Sequence, residues 1–208
     1  VPGAVIDTAV NLVPGWKHRF HDFTLHPSVK HAYQALSIDD DRKWFHPTIW
    51  KSYDEKKQTV KQVWFSGSHT DVGGGFLEPG LSDITLEWML EKATSHGIRL
   101  HLRSIKYWNF CVAPDATDEL HPPRKKMGKI YPKMQRSWPR DAQDKKPTIH
   151  ESVLERVKAL GAENYYPWIL KEVPDIELMQ KAFPYDGDQE FAIRDYDKET
   201  VEEIFVIK

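Results

Sequence analysis

Lys61 to Ala93 reads KQVWFSGSHTDVGGGFLEPGLSDITLEWMLEKA, and the reading of this stretch decides the fold. Val63-Trp64-Phe65 is short, apolar and β-prone, and it stops at Ser66-Gly67-Ser68, which predicts a buried strand. Asp71 stands just past the carboxyl end of that strand. In open α/β sheets this edge collects ligand and catalytic groups, because its loops vary while the sheet beneath stays rigid. Gly73, Gly74 and Gly75 permit close backbone approaches that a Cβ would forbid. A helix is predicted next, with Ser82 as N-cap, Asp83 in its first turn and Leu81 and Leu86 at the spacing of a hydrophobic staple. Leu86, Met89, Leu90 and Ala93 fall on one face, and Gly97 supplies a stop. The unit is strand, loop, helix.

Working outward, a second acid–base candidate lies in Pro147-Thr148-Ile149-His150-Glu151-Ser152-Val153-Leu154-Glu155. Ser152 and Glu155 match a capping box, Val153, Val157 and Leu160 supply a buried face, and Gly161 ends the helix. His150 is thereby placed ahead of a helix N-terminus. The positive end of the dipole favours a neutral imidazole, the form a general base needs.

At 208 residues with a net charge of -2 and 40% hydrophobic content, the chain suits a single globular domain over 1–208 and gives no general affinity for nucleic acid. Its apolar runs are far shorter than a membrane span, and no signal peptide stands at the N-terminus. A soluble protein is expected, cytoplasmic or secreted. One cysteine, Cys111, has apolar neighbours and reads as a buried, inert thiol. No cofactor is expected, and no metal, since His69 and Asp71 alone make too few ligands.

Between Arg124 and Lys146 nine basic residues stand against two acids, with several prolines. The segment reads as an irregular, solvated loop, and its functional reading is a membrane-surface contact for anionic headgroups, with Tyr131, Met134 and Trp138 as apolar grip. Asp39-Asp40-Asp41-Arg42 reads as a turn with local ion pairs. Asp7 and Thr8 read as a strand-end hydrogen-bonding pair, and His121, before two prolines, carries no legible role. Tyr165-Tyr166-Pro167-Trp168 reads as packing, and Asp186-Gly187-Asp188 as a turn.

Taken together, the block V-W-F-x-G-x-H-x-D-V-G-G-G, then L-S-D-I-x-L-x-W-M-L, then I-H-x-S-V-L-x-R resembles the α/β-hydrolase domain of type VI secretion phospholipase effectors. Val5-Ile6-Asp7-Thr8 is similar to that family's strand ending in Asp-Thr. The stretch from His31 to Arg42 is similar to its helix running into an acidic-Arg turn, with Phe45 to Trp50 just after. The resemblance covers Val1 to about Ile169.

The resemblance implies an α/β fold with a partial α/β-hydrolase-like sheet and flanking helices. It also implies a Ser-Asp-His ester hydrolase, phospholipase- or lipase-like, in which Asp71 orients His150 and a serine attacks the ester carbonyl. Asp71 before His150 obeys the chain order of that fold. No serine here has the small neighbours of a G-x-S-x-G elbow. Together with the abrupt start at Val1, this gives the expectation of a C-terminal part of a longer catalytic domain, its nucleophile lying upstream. The expected partner is a lipid or small ester. Two other classes stay open, a hydrolase-like binding or adaptor module and a metal-dependent hydrolase centred on His69 and Asp71.

Overall fold

The computed structural model describes residues 23–98, 112–139, 146–173 and 177–179. The expectations for Asp7 and Thr8, Cys111 and the turn at Asp186 fall outside these residues. Four parallel strands form one sheet in sequence order: β1 (His31–Ser37), β2 (Thr59–Phe65), β3 (Thr148–His150) and β4 (Glu177–Met179). Ala35 pairs with Val63, Leu36 with Trp64, and Trp64 in turn with Ile149.

Side chains alternate across a strand, so β2 feeds both layers of the core. Val63 and Phe65 pack with Val72, Leu81, Ile84 and Trp88 on one face. Trp64 packs with Leu36, Ile38, Ile49, Ile149, Val153 and Ile169 on the other. Three buried residues in a row are what a strand covered by helices on both faces requires. The covering elements are α1 (His69–Gly73), α2 (Gly80–Ser95), α3 (Glu151–Leu160) and α4 (Trp168–Glu172). A parallel α/β fold is therefore established.

Local details depart from expectation. His31–Ser37 is a strand, not the helix implied by resemblance, because its whole length pairs with β2 and buries Ala32 and Leu36. Tertiary pairing overrides local propensity here. Helix α2 begins at Gly80, before the expected cap at Ser82, whose hydroxyl instead donates to Pro79 O. The cap comes from elsewhere in the chain, since the Asp118 carboxylate accepts the Gly80 N–H at 2.7 Å. The buried face of α2 is Leu81, Ile84 and Trp88, with Met89 exposed. Helix α3 starts at Glu151, capped by His150 in place of Ser152, and ends at Gly161 with φ 82°.

Candidate functional site

Because all four strands run the same way, their carboxyl ends share one edge. Asp39 and Asp40 follow β1, His69 and Asp71 follow β2, and His150 closes β3. The loops after β1 and β2 are stitched together by Asp39 N–H to Gly67 O at 3.0 Å and Gly67 N–H to the Asp39 carboxylate at 2.7 Å.

Asp71 is buried in α1, a single turn instead of the expected loop. Its Oδ2 accepts the backbone N–H and hydroxyl of Ser68, both at 2.8 Å, and the N–H of His121 at 3.2 Å. Its Oδ1 accepts His121 Nδ1–H at 2.8 Å. A carboxylate cannot donate, so this contact places a proton on Nδ1. One face of that ring stacks on Phe76, and Nε2 lies 3.3 Å from Glu78. His121 is thus the histidine this carboxylate orients, and sequence spacing gave no signal of it, because the contact joins residues fifty apart.

His150 is buried and stacks on Phe65 at 4.7 Å. Its Nδ1 accepts the Ser152 N–H at 3.3 Å and stands 2.9 Å from the Ser152 hydroxyl. The N–H contact makes Nδ1 an acceptor, which in the neutral ring puts the proton on Nε2. The expected contact of His150 with a helix N-terminus is present, through its own side chain.

Asp40 is fully buried and accepts four hydrogen bonds: from Arg42 N, Nε and Nη2, and from His69 N at 3.1 Å. Burial alone would raise its pKa. The Arg42 guanidinium and the two backbone donors outweigh that and hold the carboxyl below its ordinary range. Asp39 goes the other way, raised by burial against the donors Gly67 N and Tyr165 Oη. Arg136 donates to Ser37 O, Ser37 Oγ and Phe45 O, and burial brings it down to about 10.

His69 sits between these groups. Its ring is exposed at the sheet edge, meets Phe45 edge-on at 5.2 Å, and has no hydrogen-bond partner among the described residues. Partial desolvation lowers its pKa below 6.5, against the opposing pull of the Asp40 charge. This shift favours the neutral imidazole near pH 7. Among the described residues, no three His, Cys, Asp or Glu side chains gather as metal ligands.

Fold and site define a parallel α/β protein whose strand ends gather buried carboxylates and histidines, an arrangement suited to proton-transfer chemistry. Over residues 4–92 the sequence matches the family model described as the catalytic domain of the Tle1-like type VI secretion system phospholipase effectors. The match supports a phospholipase- or lipase-like function. No curated protein and no solved structure matches the chain significantly. The matched span contains Asp40, His69 and Asp71 and stops short of His121 and His150.

Proposed function

We propose that this chain carries the acid–base part of a serine-type carboxylic ester hydrolase with an α/β-hydrolase-like sheet, acting on phospholipid as a secreted effector. The observation that carries the reading is His69. Its ring is exposed at the carboxyl edge with no hydrogen-bond partner among the described residues, its backbone N–H bonds the buried carboxylate of Asp40, and both residues lie inside the matched span. His69 accepts the proton of the attacking serine hydroxyl as its oxygen bonds to the acyl carbon. It then returns that proton to the departing alcohol, and water releases the acid by the same route. Asp40 acts as a positioning residue, fixing the His69 backbone and favouring the imidazolium formed in transit.

A second reading keeps Asp71 as the orienting carboxylate with His150 as base. It is favoured by the burial of Asp71 and its bond to an imidazole Nδ1, although that imidazole is His121. Fatty-acid release from phosphatidylglycerol vesicles, by protein expressed from the complete reading frame, separates the two. His69→Ala should lower the rate by about 10²–10⁴, while His150→Ala and His121→Ala retain most of it. The unaltered enzyme should keep its kcat/KM to a lower pH than an ordinary imidazole base would allow, because desolvation lowers the pKa of His69. Full activity in His69→Ala with loss in Asp71→Asn and His150→Ala would establish the second reading. No hydrolysis by the unaltered protein would favour a binding module.

A further inference from the structure

The turn that follows His121 has a composition unlike the rest of the chain. From Pro122 to Met134 there are five basic residues and no acid, in a protein of net charge -2. A 3-10 turn at Lys126–Ile130 lifts two apolar side chains into solvent, Met127 at 79% exposure and Ile130 at 71%. Arg124, Lys125 and Lys129 flank them, with no carboxylate in ion-pair range among the described residues.

This turn is held in place. The Lys125 and Gly128 N–H groups close it on Pro122 O and Lys125 O, and Gly128 packs so tightly on Pro123 O that a Cβ would collide with it. At its start, Phe76 stacks on His121 at 3.7 Å, which brings the neighbouring Leu77, 94% exposed, alongside. At its end, Tyr131 packs edge-on against Phe45 at 5.3 Å, and Phe45 meets His69 at 5.2 Å. The turn carrying the exposed apolar tips and the cations is therefore tied at its start to Phe76 and at its end, through Tyr131 and Phe45, to the His69 edge.

We propose that this turn, with Leu77, is a docking surface for an anionic phospholipid bilayer. The apolar tips enter the headgroup boundary, the three cations attract the negative surface, and docking presents the carboxyl edge of the sheet to the lipid. The inference deepens the lipid-directed reading above and rests on it. Its test nevertheless stands apart from catalysis.

Co-sedimentation with vesicles of ether-linked phosphatidylcholine, with and without ether-linked phosphatidylglycerol, reads binding on lipid that no esterase can cleave. The unaltered protein should bind the phosphatidylglycerol vesicles and largely spare the neutral ones. Replacing Arg124, Lys125 and Lys129 together by Gln should weaken binding about a hundredfold, and the Met127→Ser, Ile130→Ser pair should weaken it about tenfold or more. These side chains are at the surface, so unchanged circular dichroism and thermal midpoint should accompany the loss. Equal binding by variants and parent would overturn the proposal, as would no binding by the parent. So would a parent that self-associates through this face, with Met127→Ser, Ile130→Ser abolishing the dimer and leaving vesicle binding untouched. Absence of vesicle binding by the unaltered protein, with hydrolysis of a soluble ester retained, would fault docking alone. Intact binding with no hydrolysis would fault the catalytic reading alone.

Discussion

Gly67 shows how narrowly the site is built. It adopts φ 114°, a conformation side chains avoid, and a Cβ there would lie 2.5 Å from the Asp71 Cβ. Gly67→Ala should therefore cost about 2–4 kcal/mol, from backbone strain and overpacking together, read as a fall in the urea midpoint. A loss below about 1 kcal/mol would mean that Asp71 shifts without resistance. At this scale the sequence was informative about where groups stand along the chain and silent about their partners. Asp71 and His150 were legible because each stands at a strand end before a helix. His121, Asp118 and Tyr165 were not, since each reaches its partner across a long stretch of chain. Only the fold brings such residues together. Asp39 and Asp40 were read as one local turn, yet their partners separate them, Asp39 raised by desolvation and Asp40 lowered by the Arg42 guanidinium and backbone donors that outweigh it.

Among the elements, α2 best separates what periodicity can and cannot say. Its existence and its end near Gly97 followed from pattern. Its start did not, because Asp118 caps Gly80 from outside the local sequence. Its buried face also differed from expectation. Trp88, with Leu81 and Ile84, turns inward because Phe65 and Tyr33 offer edge-on aromatic contacts at 5.5 and 6.0 Å. Trp88→Ala should cost about 3–5 kcal/mol by leaving a cavity in this layer. The Trp88 Nε1 is buried without a hydrogen-bond partner among the described residues, so Trp88→Phe removes an unsatisfied donor along with some volume and should cost less than about 1.5 kcal/mol. Chemical denaturation of both variants checks the pair. Equal losses would show that the indole N–H is satisfied in solution.

The whole molecule is organised around β2, which has a partner on each side and feeds both core layers. Its three-residue apolar run made a covered strand legible, and with it the α/β class. The helical reading of His31–Ser37 failed because only the pairing with β2 makes it a strand. A chain ending at Lys146 would lose β3 and α3, and with them Ile149, Val153 and the Arg156 bonds to Ala116 O and Asp118 O. That chain should show no cooperative thermal transition by calorimetry. A sharp transition would mean the β1–β2–α2 part folds independently.

The parallel order of the strands also governs when the protein can form. Among the described residues no two paired strands are joined by a hairpin, and Val63, paired with Ala35, meets its second partner only when Thr148 is available. Such distant pairings close slowly and leave strand edges uncovered in the interval. During synthesis, β2 must emerge and wait through the basic turn before its second neighbour exists. The nascent chain is therefore most open to misassociation at the strand that later anchors everything else.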